Sequence, residues 1–577
     1  MSDFDIYAAL ARAGYPARDY AVVLAWEERS PIDKTVWVHG VRVAPRNGSA
    51  FEDVYFDGKG TVLGPPQLAA AGIPPKNWNA APKVRPPELV APPAKAKSAR
   101  PPDVVKRLAA SAPELMLPVP DVATARAEDA FGLSTPAKRV ARTGLVLGLP
   151  APMRAQAGDG RWEKLGGGQW AWTLAFRGLD ARGLRLHFAT ARIPKGASMF
   201  LCGGGTSRQL TAVAGGFWSP TCWDEAAAVV CLLPAGKDRS NVEIVVDQAV
   251  YQYAGLQELK QAGSCNLDIT CEPAWTSTGL AVGGIGFIGG ADSLFCTGAM
   301  VADSDPGTVI PYFLTANHCI STQAEAETLE FYWLFQSSVC DDPDSVPDLG
   351  SVPSTGGGAD YLAGNSNYYG TDFSLLRLHV TPEVALTYAG YATTSPGIGA
   401  SAVCIHHPRG TYKRISFGTI TDAGRPGSGE RLRPAERFHE VVWYDGTTEP
   451  GSSGSPLFWP GRQVIIGQLY GGYASCTLPD EPDYYGRFDR TYPLVASWLD
   501  AGEGEGEGEG EGEGEGEGEG ENPCDVDGNG EVNSADLQIV IDASLHRTGN
   551  SFADVDRSGA VEAVDVQLVL LKILNGG

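Results

Sequence analysis

Alternating apolar and polar residues run through much of the chain and predict strands as its main secondary structure. The alternation is regular at residues 170–176, 184–191, 241–246 and 249–253, with turn residues between these runs. Antiparallel strands that place one face on a core produce this period of two. We therefore expect residues 111–260 to form a β-sandwich-like domain, and this region has no cluster of acid and base residues.

The first 75 residues also alternate and predict a separate N-terminal module. Residues 8–20 fit a short helix, and residues 35–43 and 50–56 fit two strands. His39 lies in the first of these strands, where we expect a structural role. No function follows from the pattern of residues 1–75.

Composition divides the rest of the chain into two linkers, a strand-rich region and a repeat. Residues 76–110 are rich in proline, alanine and lysine, which predicts a semi-rigid linker. Residues 261–500 return to strand patterns separated by turn residues, over a length that fits two six-stranded barrels with a cleft between them. Residues 501–521 alternate glycine with glutamate, and charge repulsion should keep this second linker extended.

The internal repeat occupies residues 522–577. Two acidic loops begin 29 residues apart, at Asp525 and Asp554, and a helix-like apolar pattern follows each loop. Oxygen-bearing side chains stand at loop positions 1, 3, 5 and 12 with glycine at position 6, which is the calcium-binding arrangement of EF-hands. The predicted ligands are the side chains of Asp525, Asp527, Asn529 and Asp536 with the Glu531 carbonyl, and those of Asp554, Asp556, Ser558 and Asp565 with the Ala560 carbonyl.

Catalytic chemistry is indicated by a glycine-rich stretch at residues 448–458. Ser453 stands there in the pattern Gly-x-Ser-Gly-x-Pro, in which glycines permit a tight turn and let backbone N–H groups converge beside the hydroxyl. His318 follows an apolar strand end and precedes a cysteine, and Asp372 precedes another strand. The chain order His, Asp, Ser is that of the chymotrypsin-type triad.

These three side chains predict nucleophilic attack on an amide. Ser453 would attack, His318 would carry the proton, and Asp372 would hold the imidazole in one tautomer. The N–H groups of Gly451 and Ser453 would form the oxyanion hole. The alternatives, whose sequence contexts fit less well, are Asp360 for the acid and His406 or His407 for the base.

Charge and cysteine content indicate which classes of binding partner and which cellular compartment to expect. The formal net charge is −24, of which ten charges are the glutamates of residues 501–521, and the remaining 14 still disfavour nucleic acid and anionic membranes. The 11 cysteines show no CxxC pair or zinc-ligand spacing, so we expect disulfides in an oxidising compartment. Residues 1–29 lack a signal-peptide pattern, and we expect the export signal upstream of this sequence.

The strand-rich region resembles the bacterial lysyl endopeptidases, which are serine proteases of the chymotrypsin fold. The resemblance covers about 40% of the chain and rests on residues 263–266, 296–298, 315–319, 407–410, 413–416, 449–456, 467–469, 471–472 and 483–487. It implies a trypsin-like double β-barrel. It also implies the disulfides Cys265–Cys476, Cys271–Cys340 and Cys296–Cys319, and leaves Cys404 and Cys524 unpaired. Outside the resemblance, Cys202, Cys222 and Cys231 are an odd-numbered set, which fits either one free thiol or three inert core thiols.

The same resemblance implies where the substrate side chain binds. Trypsin-like enzymes carry a pocket aspartate six residues before the nucleophile, where this chain has Thr447. In the lysyl endopeptidases the acid follows the nucleophile, in the motif that begins here with Asp483, and a buried carboxylate there would select lysine. The alternatives are a surface role for Asp483 and a pocket acid at Asp445. Tyr470 stands where these enzymes usually have histidine.

A processing site is expected at Lys260, just before the resemblance begins. A lysine-specific enzyme would cut there itself and shed residues 1–260 as a pro-region. The chymotrypsin-type zymogen switch needs an aspartate directly before the nucleophile, where this chain has the uncharged Ser452. We therefore expect activation without that switch.

The calcium repeat resembles a type I dockerin, which implies a cohesin as its docking partner. We thus expect a mainly β chain in which a β-rich pro-region, a trypsin-like domain and a small α-helical EF-hand-like module follow one another. The expected function is a secreted or cell-surface serine endopeptidase that cuts after lysine and uses calcium only in its docking module. The alternatives are a preference for arginine or both basic residues, and a non-catalytic protease-like adhesion protein.

Overall fold

Strands dominate the computed structural model of the chain, as the alternating pattern predicts. The structure describes residues 6–500 except 46–50, 75, 78–81, 93–102, 135–139, 156–157, 211–215, 255–261, 306–308, 368–369 and 422–436. The predicted linker at 501–521, the calcium ligands in 522–577, Cys524 and Lys260 lie outside the described residues. Of the helices in the described part, none is long and apolar enough to cross a membrane.

The N-terminal module is a short helix packed on an antiparallel sheet. Its elements are α1 (Ile6–Arg12), β1 (Tyr20–Arg29), β2 (Trp37–Pro45), β3 (Glu52–Asp57), β4 (Val62–Leu63) and α2 (Pro65–Ala70). The helix ends earlier than predicted, because Gly14 adopts φ 92° and Pro16 follows. Trp26 of β1 is buried in one core with Leu362 and Trp498 of the strand-rich region, so the module is not a separate domain.

The predicted linker at 76–110 is built into the fold wherever it is described, which corrects the expectation of a free spacer. Arg85 exchanges two backbone hydrogen bonds with Tyr391, of 2.8 and 3.1 Å. Strand β5 (Glu88–Val90) pairs with a strand of the barrel region, and helix α3 (Asp103–Ala110) packs on the sandwich. Proline-rich chain is extended and suits a sheet edge as well as a spacer, so composition alone could not distinguish the two.

Residues 114–252 form two packed sheets, as the alternation predicts. One sheet has the order β12–β11–β14–β9–β6 with β8 beside β9, and the other contains β13–β10–β15–β7. Trp172, Phe176 and Phe188 fill the core between them. The elements are β6 (Glu114–Met116), α4 (Val122–Ser134), β7 (Ala141–Arg154), β8 (Arg161–Lys164), β9 (Trp170–Arg177), β10 (Gly183–Arg192), β11 (Ser198–Gly203), β12 (Thr206–Leu210), β13 (Phe217–Trp218), β14 (Ala226–Leu233) and β15 (Glu243–Gln252).

The first barrel follows the sandwich in the chain. Its sheet runs in the order β21–β20–β17–β18–β19–β23–β22. Strand β16 (Leu267–Asp268) precedes this sheet in the chain but pairs with residues 414–415 of the second barrel. The other elements are α5 (Thr276–Gly279), β17 (Val282–Gly289), β18 (Asp292–Val301), β19 (Tyr312–Ala316), α6 (Gln323–Ala326), β20 (Glu330–Tyr332), β21 (Ser354–Thr355), β22 (Ala359–Asn365), β23 (Phe373–Leu378) and β24 (Leu386–Tyr388), of which β24 pairs with β5.

The second barrel closes on itself. Its order is β26–β25–β28–β29–β30–β27, with β27 pairing back to β26. The elements are β25 (Ser401–His406), β26 (Arg414–Thr421), β27 (Phe438–Asp445), β28 (Pro456–Trp459), β29 (Val464–Gly472), β30 (Asp483–Arg487) and α7 (Phe488–Leu499). The predicted six-stranded barrel is therefore present here.

The first barrel is continuous with the regions that precede it. Strand β7 of the sandwich pairs with β18, and β1 of the N-terminal module pairs with β22. Within the described residues these pairings build one sheet of 15 strands. Arg185 of the sandwich is buried at this junction and donates hydrogen bonds to the carbonyls of Ser219 and Thr328, each at 2.6 Å.

Candidate active site

Ser453 lies on a tight turn that packs against the first barrel. Gly451 and Gly454 adopt φ 92° and 81°, which is left-handed backbone that favours glycine. The Thr297 N–H donates to the Ser453 carbonyl at 2.9 Å, and the Thr297 hydroxyl donates to the Gly451 carbonyl at 2.9 Å. A Cβ on Gly454 would overlap the Thr315 hydroxyl and would lie 2.8 Å from the Ala316 nitrogen. The turn is therefore held against Ala316, which is the last residue of β19 and lies two residues before His318 in the chain.

His318 and Asp372 form a close pair at the ends of β19 and β23. The His318 Nδ1 lies 2.6 Å from Asp372 Oδ2, and the His318 backbone N–H donates to Oδ1 at 3.1 Å. A carboxylate only accepts, so this contact keeps the proton on Nδ1 and leaves Nε2 as the basic nitrogen. Asp372 is buried, whereas the His318 side chain is 26% exposed.

The hydroxyl of Ser453 is buried and makes no hydrogen bond within the described part of the chain. The structure thus joins His318 to Asp372 by hydrogen bonds, and brings the Ser453 turn beside them without a hydrogen bond to the imidazole. Such contacts are often long until substrate is bound. The His318 ring also lies edge-on to Tyr470, with ring centres 5.8 Å apart.

Two backbone N–H groups beside Ser453 are available to a ligand. The N–H groups of Ser452, Gly454 and Ser455 donate to carbonyls of Glu449, Leu469 and Ser452. Those of Gly451 and Ser453 have no acceptor among the described residues. This alternation gives a pair of donors at the positions expected of an oxyanion hole.

Asp483 is a fully buried carboxylate close to the same turn. It starts β30, and its Oδ2 accepts hydrogen bonds from the Trp443 indole at 2.8 Å and the Thr448 hydroxyl at 2.7 Å. Its Oδ1 lies beside Gly472, where a Cβ would approach to 2.5 Å. Asp445, the alternative pocket acid, is exposed.

Glu449 ties the nucleophile turn to the start of the barrel region. Its Oε2 accepts from the Gly263 N–H at 2.8 Å and from the Asn266 amide at 2.9 Å, and its Oε1 accepts from Arg409 at 2.8 Å. Ser452 is bonded to His406 Nδ1 at 2.8 Å. Glu449, four residues before Ser453, therefore links the nucleophile turn to Gly263 and Asn266.

The alternative triad residues have other partners. Asp360 contacts Arg29, Lys34 and Arg377. Burial raises the pKa of its carboxyl, but hydrogen bonds from Arg377, His379 and Lys34 outweigh burial and hold that pKa below its ordinary value. His407 is buried against Phe335 and bonded to the Thr411 carbonyl, and burial lowers its pKa to about 3. Within the described residues, Asp360 makes no hydrogen bond to His318 and His407 makes none to Ser453.

The three disulfides implied by the resemblance are present: Cys265–Cys476, Cys271–Cys340 and Cys296–Cys319. The last joins β18 to the segment just after His318 and so fixes that segment to the barrel. The remaining described cysteines are buried and are not part of a disulfide: Cys202, Cys222, Cys231 and Cys404.

The sequence pattern did not indicate a role for several residues of the site. Trp443 and Thr448 hold Asp483, and Thr297 holds the Ser453 turn. Each is distant along the chain from what it contacts or stands in an unremarkable pattern. A signal existed only for Glu449, which is an acid next to a predicted nucleophile loop.

Two regions of the chain match family models. Residues 259–486 match the family model described as lysyl endopeptidase, C-terminal domain, and residues 523–574 match the dockerin type I domain. These matches confirm both resemblances seen in the motifs.

Parts of the chain are also similar to single known proteins. A lysyl endopeptidase of Pseudomonas aeruginosa is 28% identical over 339 residues, which span 55% of this chain and 71% of that protein. Secreted RxLR effector protein 73 of Plasmopara viticola is 27% identical over 194 residues, covering 31% of this chain and 42% of that protein. The solved HtrA-type protease AlgW with tripeptide has a TM-score of 0.27 and 18% identity, over 40% of this chain and 63% of that one. The family model and the first relative support a serine protease.

Substitution of Gly454 by alanine should disrupt the site, because a Cβ there meets the first barrel and the backbone is left-handed. We expect Gly454→Ala to lower the free energy of unfolding by about 2–4 kcal/mol. Gly461→Ala is the matched control, since a Cβ there meets nothing within 4 Å. Denaturant unfolding of both variants measures the difference, and equal stabilities would contradict the described packing.

Proposed function

We propose that the protein is a secreted serine endopeptidase that hydrolyses peptide bonds after lysine. The observation that carries this proposal is the buried Asp483 carboxylate beside the turn of Ser453. A buried acid next to a nucleophile turn is suited to a cationic side chain, because a carboxylate held in a low-dielectric site attracts a substrate ammonium strongly.

In the proposed mechanism the Ser453 hydroxyl oxygen attacks the substrate carbonyl carbon. Its proton passes to His318 Nε2, while Asp372 stabilises the imidazolium that forms. The N–H groups of Gly451 and Ser453 hold the carbonyl oxygen as it becomes negative. The imidazolium then protonates the leaving amine as the carbon–nitrogen bond breaks, and this leaves an acyl group on Ser453. A water molecule, deprotonated by His318, attacks the acyl carbon next, and the carboxylic acid leaves as Ser453 regains its proton.

Lysine specificity rests on the surroundings of Asp483. Trp443 and Thr448 fix Oδ2, and Gly472 leaves space at Oδ1. A lysine side chain is long and thin and ends in one compact charge, which a single carboxylate at the end of a pocket can satisfy. Arginine pairs best with both oxygens of a carboxylate at once, and Oδ2 of Asp483 is already bonded to Trp443 and Thr448, so we propose lysine as the preferred residue.

Processing after Lys260 is part of the proposal. The Gly263 N–H, three residues later, is anchored on Glu449 behind the nucleophile turn. The pairings of β1 with β22 and of β7 with β18 support a cut chain whose parts stay assembled. In this respect the proposal departs from the expectation that residues 1–260 are shed.

The dockerin type I match suggests that residues 523–574 bind calcium. We propose that the ten predicted ligand residues hold two calcium ions and that the folded module docks on a cohesin. Export from the cell follows from that role and from the disulfides. Calorimetric titration of the chain with calcium tests this assignment, and the absence of calcium-dependent heat would exclude it.

Substitution of Asp483 by asparagine should remove the preference for lysine. The amide keeps an acceptor for Trp443 and Thr448 but loses the charge, so kcat/KM for a lysyl amide substrate should fall at least about 100-fold. Rates for lysyl, arginyl, leucyl and glutamyl substrates measure this effect. Asp480→Asn, in the exposed acidic loop, should change these rates less than about twofold, and wild-type enzyme that cuts leucyl and lysyl substrates equally would exclude the proposal.

Replacement of Lys260 should block processing. The wild-type chain should yield a new N-terminus at Gln261, whereas Lys260→Ala and Ser453→Ala should remain single chains if the cut is made by the enzyme itself. Lys237→Ala is the control, because Lys237 is an exposed lysine elsewhere. N-terminal sequencing checks the position, and a start far from Gln261 would contradict this assignment.

A further inference from the structure

The loop that carries His318 is connected by hydrogen bonds to the N-terminal module. Asn317 directly precedes His318, and its backbone N–H donates to the Asp372 carbonyl at 3.0 Å. Its side-chain amide donates to the Tyr361 hydroxyl at 2.8 Å and to the Ser374 hydroxyl at 3.1 Å. The orientation of the His318 backbone therefore depends on what Tyr361 and Ser374 hold in place.

Tyr361 in turn donates its hydroxyl proton to Glu27 Oε1 of β1, at 3.2 Å. Glu27, Tyr361 and Asn317 are all buried. Burial raises the pKa of the Tyr361 hydroxyl well above its ordinary value, so this group stays protonated and acts as a donor to Glu27. A tyrosine hydroxyl that donates in one direction and accepts in the other links Glu27 to the Asn317 amide in a single chain.

The backbone is shaped to permit this chain of hydrogen bonds. Glu27 lies opposite Gly364 in the pairing of β1 with β22. A Cβ on Gly364 would overlap the Tyr361 hydroxyl and would lie 2.9 Å from the Asn317 amide nitrogen. The absence of a side chain at Gly364 therefore creates the space in which the three polar groups meet.

Other contacts hold the module on this edge of the barrel. Arg29 and Lys34 of the module lie 3.1 and 3.3 Å from the Asp360 carboxylate, one residue before Tyr361. The buried pair of Glu28 with Lys76 lies next to Glu27, and Ser497 donates to Glu28 at 3.3 Å. The position of Glu27 is thus fixed by the docking of the whole module, which the lysyl endopeptidase family match at residues 259–486 does not include.

We propose that Glu27 is a positioning residue for the catalytic histidine, acting through Tyr361 and Asn317 on the backbone of His318. The proposal rests on the proposed function, because it concerns the same triad. It assigns to the N-terminal module the role of a permanent part of the active enzyme. When Glu27 is lost, the Tyr361 hydroxyl loses its acceptor, the Asn317 amide loses a fixed partner, and the His318 loop gains freedom.

The test is a double-mutant cycle in the full chain with Glu27→Leu, which removes the acceptor of the Tyr361 hydroxyl, and Tyr361→Phe. Each single variant should lower kcat for a lysyl amide substrate by about three- to thirtyfold with KM unchanged. The double variant should be no slower than the slower single variant, because both changes break the same chain. Gel analysis of each sample verifies that residues 1–75 are still present.

Lys34→Gln is the matched control. It removes an exposed docking contact of the module with Asp360 but does not touch Tyr361, so kcat should stay within about twofold of the wild type. Additive effects of the two substitutions, or wild-type kcat in both single variants, would overturn the proposal. Should Glu27→Leu fail to fold, Tyr361→Phe alone keeps the test, because it leaves every ion pair of the module in place.

A readout that needs no turnover separates this proposal from the proposed function. In the Ser453→Ala background, the NMR resonance of the proton between His318 Nδ1 and Asp372 reports the geometry of that pair. Tyr361→Phe should shift this resonance, and Lys34→Gln should not. A shift in this background, together with a chain that cuts no substrate when Ser453 is intact, would keep the positioning role and exclude the peptidase. An unchanged resonance would exclude the positioning role.

Discussion

The packing of the Ser453 turn on the first barrel is the contact on which the rest of the site depends. Thr297 binds two carbonyls of the turn, and Gly454 lies flat against Thr315 because it has no side chain. The turn belongs to the second barrel and His318 to the first. Neither barrel alone contains both the serine and the histidine. A nucleophile and its base must lie within hydrogen-bond reach, so the candidate triad depends on this contact.

Buried charges define the site around this contact. Asp372, Asp483 and Glu449 are all buried, and each has hydrogen-bond donors directed at its oxygens. Taking a carboxylate out of water is costly unless such donors or a counter-ion compensate. The three acids therefore lie next to His318, beside Thr448 at the start of the Ser453 turn, and between that turn and the start of the barrel region.

The sequence was sufficient for what depends on local patterns. Glycine spacing identified the Ser453 turn, strand-end context identified His318 and Asp372, and period-two alternation identified the sandwich. It was insufficient where distant segments share one core: the module and the described parts of the proline-rich stretch pack on the barrels. The pairing of Glu27 with Gly364 joins residues more than 300 positions apart, and no local pattern carries that information.

The central claim is that the hydroxyl of Ser453, rather than that of a neighbouring serine, is activated by His318. Covalent labelling with a fluorophosphonate, followed by mass mapping of residues 448–458, tests it most directly. The account predicts one phosphonyl group on Ser453, formed in the wild type and lost in His318→Ala. Labelling of Ser452 or Ser455, or labelling that persists without the imidazole of His318, would contradict it.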